Sequence, residues 1–141
     1  LILNAQYIKD LSFENPRAPQ SLTQPHQTPA VDINVDVKAT SLGGENYEVV
    51  LTINASAKVD AAALFVLELV YGTIATVRNV PQAQLAPIIL VAVPRLMFPF
   101  ARNIVADAPR DGGFPPLMIN PIDFMELLRR EQSTVAPPPA S

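Results

Sequence analysis

The sequence has no cysteine, no tryptophan and one histidine, His26, in 141 residues. Without cysteine it can form no disulfide and no thiolate metal site. A metal would have to rely on carboxylates and one imidazole, so none is expected. The absence of thiols suits a reducing compartment. Charged residues are also scarce at 16%, against the usual quarter, so much of the outer surface is expected to be covered in the working state. The net charge of −3 lacks the basic excess that a nucleic-acid partner requires and permits a basic protein partner. No basic stretch followed by an apolar one opens the chain, so no signal peptide is visible; the leading Leu1 suggests a trimmed start.

Catalytic groupings are missing as well. His26 lies between Pro25 and Pro29 in a polar stretch, with no identifiable partner to orient it as a base. Asp32 and Asp36 sit four apart on one strand face and read as a solvated face. Asp107 and Asp111, beside Arg110, read as helix-end charges. Gly43-Gly44 and Gly112-Gly113 lack the surroundings of a phosphate cradle. No enzyme and no cofactor are expected.

What the chain does have is the apolar run 84–102, Gln-Leu-Ala-Pro-Ile-Ile-Leu-Val-Ala-Val-Pro-Arg-Leu-Met-Phe-Pro-Phe-Ala-Arg, charged only at Arg95 and Arg102. Leu85, Ile88, Ile89, Ala92, Leu96, Phe100 and Ile104 recur at helical spacing. Val91, Val93, Met97 and Phe98 leave no clean polar face, so the helix needs cover on more than one side. One small sheet covers one side; a second copy of the chain is the simplest cover for the other. A membrane span would need about 20 uninterrupted apolar residues, and Pro87, Pro94, Pro99 and Arg95 interrupt this run. Pro94 and Pro99 are expected to kink or break the helix.

Four strands precede it. Residues 1–13 alternate, with Leu1, Leu3, Ala5, Tyr7, Leu11 and Phe13 against Asn4, Gln6 and Asp10. A proline-punctuated extended loop, 15–30, leads to the clean alternation of 31–39. Gly43-Gly44 marks a hairpin, and 46–58 places Tyr47, Val49, Leu51, Ile53 and Ala55 inward. A turn at Lys58-Val59-Asp60 leads to 62–75, apolar on both faces except at Glu68. After the helix ends at 108–113, Asn120 is expected as an N-cap with Pro121 at the first helical position. Ile122, Phe124, Met125, Leu127 and Leu128 then form the apolar face of a second helix. The result is an α+β fold: a four-stranded antiparallel sheet followed by two helices. Residues 1–131 form the domain, and 132–141 a disordered Pro-rich tail.

Two functional signals remain. The apolar surplus serves subunit packing and, where it forms grooves, weakly selective binding of apolar segments. Asp10, Glu14 and Glu68, if brought to one sheet face, would dock a basic partner. A structural or interaction oligomer without unfolded clients is the alternative.

Three blocks resemble the SecB family of bacterial protein-export chaperones: Tyr7-Ile8-Lys9-Asp10-Leu11-Ser12-Phe13-Glu14-Asn15-Pro16-Arg17-Ala18-Pro19, Leu96-Met97-Phe98-Pro99-Phe100-Ala101-Arg102, and Phe114-Pro115-Pro116-Leu117-Met118-Ile119-Asn120-Pro121-Ile122-Asp123-Phe124. Tyr47-Glu48-Val49-Val50-Leu51 is similar to the family's third strand. The likeness spans about residues 3–131. It implies a homotetramer, a dimer of dimers with the long helices between two eight-stranded sheets. It implies a cytoplasmic, ATP-independent holdase that keeps unfolded secretory preproteins translocation-competent and delivers them to SecA, with no insertion into the membrane. The family's SecA-docking positions fall on Asp10, Glu14, Val66 and Glu68. Its client groove falls on Ile33, Val35, Val37, Val77, Val80, Phe124, Leu127 and Leu128. Tyr71 and Thr73 depart from the family's strand-end pattern, its loop tryptophan is absent, and the tail does not match.

Overall fold

The computed structural model describes residues 1–25 and 27–134. The expectation for His26, and that for the tail from 135 onward, lie outside the described residues. Four antiparallel strands, β1 (Ile2–Glu14), β2 (Ala30–Gly43), β3 (Asn46–Val59) and β4 (Ala62–Thr76), pair in the order β1-β4-β3-β2. Gly43 and Gly44, with φ of +99° and +60°, make the β2–β3 hairpin, a backbone open to glycine because no Cβ clashes. The β3–β4 turn is carried by Asp60 and Ala61, at φ +52° and +64°, one residue beyond the expected site. The loop expected to be wholly extended contains one short helix, α1 (Gln20–Thr23).

Burial follows the two-residue period of a sheet with one covered face. From β3, Val49, Leu51, Ile53, Ala55 and Ala57 are buried; from β4, Phe65, Leu67, Leu69, Tyr71, Thr73 and Ala75 join them. β1 departs from the strict alternation read in its sequence. Bulges between Leu3 and Ala5 and between Ile8 and Asp10 each insert a residue and reverse the facing of the residues after it. Leu3, Ile8, Leu11 and Phe13 pair with the inward residues Ala75, Tyr71, Leu69 and Leu67, whereas Ala5 and Tyr7 pair with Ile74 and Gly72 on the outer face.

The covering layer is one helical run of 30 residues, Gln82–Asp111. It comprises α2 (Gln82–Pro87), a π-helical turn (Ile88–Ala92) and α3 (Val93–Asp111). Of the expected kink or break at the prolines, the break does not occur. Pro94 falls in the first turn of α3, directly after the π turn, where a widened backbone register tolerates a missing donor. Pro99 and Pro109 lie inside α3 without ending it. By length and composition this run would also suffice to cross a membrane; here Val93, Met97, Ala101 and Val105 make a fully buried stripe within the core. On another side, Leu96 and Phe100 remain 49% and 52% exposed. The single chain thus covers one side of an apolar helix and leaves the other open.

Gly112 and Gly113 close α3. The expected second helix, α4 (Phe124–Thr134), starts later than Asn120. Asp123 is its cap: the Glu126 N–H donates to Asp123 Oδ1 at 3.1 Å, and the Leu127 N–H to the Asp123 carbonyl at 3.1 Å. Asn120 and Pro121 have capping chemistry too, but proline's fixed φ serves an extended approach equally well. Phe124, 1% exposed, packs edge-on to Phe98 with ring centroids 6.0 Å apart. The helix runs through 132–134, which were expected in the tail.

Candidate binding surfaces

Cross-strand partners share a face, so the register assembles the outer surface row by row. Asp10 lies opposite Val70, Ser12 opposite Glu68, and Glu14 opposite Val66. The rows continue through Thr52, Asn54 and Ser56 of β3 to Asp36, Asn34 and Asp32 of β2. Asp10, Glu14, Val66 and Glu68 are therefore brought together in three consecutive rows, with Glu68 in the middle row and Val66, 40% exposed, opposite Glu14. Asp10, Glu14 and Glu68 make no ion pair or side-chain hydrogen bond among the described residues. Glu48, on the same face, is engaged. Tyr7 donates to its Oε2 at 2.5 Å and Lys9 Nζ lies 2.9 Å from its Oε1. These hydrogen bonds, Tyr7's first, hold the Glu48 carboxyl below its usual range. Burial, then the Glu48 bond, pushes the Tyr7 phenol up to about 12.

The residues expected to line a client groove divide into three groups. Ile33, Val35 and Leu127 line an open groove of about 300 Å³ between β2 and α4, with Ile122 beside them. Val80 and Leu128 are half-buried against the core. Val37, Val77 and Phe124 are core residues, 6%, 5% and 1% exposed. Next along the same two elements, Glu131 of α4 hydrogen-bonds Asp36 of β2; burial first, then this bond, raises the Glu131 carboxyl.

A larger groove, about 450 Å³, is not among the sequence-based expectations. Leu22, Val31, Phe65, Phe114, Pro115 and Leu117 line it. Its aromatic wall is the cluster Phe13–Phe65–Phe114, with centroids 5.6 and 5.2 Å apart. Leu22 and Val31 are 46% and 45% exposed at its mouth. The groove exists because the β1–β2 loop is clamped to the end of α3: Asn15 Nδ2 donates to the Gly112 carbonyl at 2.9 Å, while the Phe13 ring and the Leu22 methyls occupy the space a Cβ would take on Gly112 and Gly113. The proline-rich composition of 15–30 and of 114–117 is the one signal for it in the sequence, but nothing local says that the two segments meet.

Among the described residues no three His, Cys, Asp or Glu side chains cluster to hold a metal ion. An open apolar groove, a mixed groove beside α4 and a separate acidic sheet face, on an α+β fold, define the surfaces of a protein that binds other polypeptides. Comparison with known proteins agrees. The family model described as preprotein translocase subunit SecB matches residues 1–135. The protein-export protein SecB of Afipia carboxidovorans is 51% identical over 131 residues, covering 93% of this chain and 81% of that one. That of Bradyrhizobium sp. is 52% identical over 132 residues, covering 94% and 82%. A SecB-like chaperone of Mycobacterium tuberculosis, solved in complex with a ChAD peptide from an antitoxin, shares the fold with a TM-score of 0.69 at 12% identity, covering 86% of this chain and 90% of that one. The chain belongs to the SecB family of protein-export chaperones.

Proposed function

We propose that the chain works in the cytoplasm as an ATP-independent holdase that binds unfolded secretory preproteins and hands them to SecA. The observation that carries this reading is the open apolar groove against the Phe13–Phe65–Phe114 cluster, together with the groove between β2 and α4, where Ile33, Val35, Ile122 and Leu127 alternate with polar and charged side chains. An extended chain exposes side chains that fill such grooves; a folded one has already buried them, so selectivity is for slow folders. Apolar contact is non-directional, which suits many unrelated clients.

The working form in this reading is a homotetramer, a dimer of dimers, with no part inserted in a membrane. Its support is the open stripe on α3. Covering Leu96 and Phe100, each about half exposed, adds roughly 1 kcal/mol apiece per chain. Four subunits also multiply weak groove contacts through effective concentration. SecA docking is assigned to the carboxylates of Asp10, Glu14 and Glu68, with Val66 beside Glu14, a surface complementary to a basic segment. Client capture is assigned chiefly to Ile33, Val35, Leu127, Val31 and Phe114; Val80 and Leu128 back the first groove. Val37, Val77 and Phe124 support it from the core. Stoichiometric binding of a denatured precursor, with no binding of the same protein once folded, tests the reading. Equal binding of both forms, or of neither, would contradict it.

A further inference from the structure

An open, mainly apolar pocket of about 260 Å³ lies between the hairpin ends of β2 and β3 and the first turns of the long helical run. Ala39, Ser41, Tyr47, Gln82, Leu85 and Leu90 line it. It shares no residue with either groove or with the exposed stripe of α3. Among the described residues the Tyr47 hydroxyl and the Gln82 amide donate to no partner. The course of α4 leads toward this pocket. Asp123, Glu126 and Arg130 line the groove at Ile33–Val35 of β2; then Glu131 meets Asp36, and Lys38 acts on the Glu131 carboxyl. Ala39, at the pocket, is the next residue of the strand. The helix continues to Thr134, and Val135-Ala136-Pro137-Pro138-Pro139-Ala140 follows in the sequence.

We propose that this segment of the same chain docks in the pocket as a polyproline helix, with Pro137–Pro139 lying across Tyr47. The reach fits. Asp36 to Ala39 is about 10 Å of strand at roughly 3.3 Å per residue. The backbone from Glu131 to Thr134 covers about 4.5 Å of that at roughly 1.5 Å per residue. Val135 and Ala136, extended at about 3.1 Å each, close the remainder and bring the prolines over the pocket. The chemistry fits as well. Proline has no N–H, so the run presents carbonyl acceptors and apolar rings. Tyr47 offers an aromatic face with a hydroxyl donor, and Gln82 an amide donor. A polyproline helix is already extended before it binds, so docking costs little ordering entropy. The docking does not depend on the holdase reading. Its consequence does: a tethered occupant has a high effective concentration, and a polypeptide entering this pocket must displace it.

Because the chain has no cysteine, Ser141→Cys carries a single nitroxide on the full-length protein. The expected result is a selective loss of amide signal over 39–41, 47 and 82–90, recovered when the nitroxide is reduced. Pro137→Ser, Pro138→Ser and Pro139→Ser combined, which lie outside the described fold, should abolish the selective loss. Tyr47→Phe, which keeps the ring and loses the donor, should weaken it. No loss, or a loss spread evenly over the surface, overturns the inference, as does an undiminished loss in the triple variant. Assemblies with the isotope and the nitroxide on different chains separate the remaining occupant: the same loss there means that the tail of a second copy fills the pocket, and overturns docking within one chain. None of these outcomes bears on the holding of unfolded precursors, which is measured separately.

Discussion

Tyr7 on β1 donates its phenolic hydroxyl to Glu48 on β3, 2.5 Å away, across the intervening strand β4. The ring lies where Gly72 has no side chain: a Cβ there would meet Tyr7 Cε2 at 2.6 Å. Glycine on β4 thus lets one aromatic residue tie three strands together on the outer face. Because the Glu48 carboxyl is held low, its contribution is present above the ordinary carboxylate range and is lost as pH falls through its lowered value. Tyr7 acts at the other end. With the phenol raised to about 12, stability is full below about 10 and declines as pH rises from there through the raised value. Tyr7→Phe should reduce the alkaline slope, leaving the part due to the Tyr71 phenol that burial also raises, reduce the acid one, and cost about 1 kcal/mol at neutral pH. Urea unfolding midpoints measured across pH would show this.

Gly112→Ala should destabilise the chain by about 1–3 kcal/mol through overpacking. The new Cβ would meet Phe13 Cε1 at 2.5 Å, while the backbone φ of −83° is one alanine accepts. The loss is therefore steric, and Phe13→Leu in the same chain should recover part of it. Thermal unfolding of the single and double variants checks this; equal losses would contradict the clash.

Glu131 has a raised carboxyl because of burial and then Asp36. Its contribution is complete below the ordinary carboxylate range and disappears as pH rises through the raised value. The last turns of α4 should therefore hold less firmly to β2 at neutral pH, when Glu131 ionises beside Asp36. Amide exchange, corrected for its intrinsic pH dependence, should show less protection over 127–131 at neutral pH than at mildly acid pH. Glu131→Gln should flatten that difference.

Reversing Glu68 or Asp10 to lysine should weaken SecA docking several-fold. The effect should be larger at low salt, where attraction is less screened, and client holding should be intact. Titration of SecA against each variant at two ionic strengths measures it. Simultaneous loss of client binding would mean instead that the sheet had been damaged.

The parts of the fold that announce themselves in the sequence are those where one residue type repeats one environment. β3 alternates because its two faces see core and surface in turn, and Gly43-Gly44 signals its hairpin by a backbone requirement alone. The bulges of β1 carry no such mark: Ile8 and Tyr7 are both acceptable on either face, and only pairing with β4 decides between them. Proline chemistry predicts a kinked or broken helix; the helix is not broken, because Pro94 falls at the exit of a π turn and Pro99 lies within a helix held by Met97, Ala101 and Val105 on the core side. Asp10, Glu14 and Glu68 could be proposed as neighbours, and the register brings them into adjacent rows. The large groove is illegible in the sequence because Leu22, Val31, Phe65 and Phe114 come from four separate segments. Similarly, Val37, Val77 and Phe124 fall among the groove positions that the family resemblance implies but are enclosed by the core.

The holding activity itself is read by diluting a chemically unfolded secretory precursor into an equimolar solution of the assembled protein and following light scattering. Scattering should be delayed or abolished without nucleotide, and Val31→Asp at the groove mouth should restore much of it. Scattering that rises as fast as in buffer alone would contradict the holdase reading.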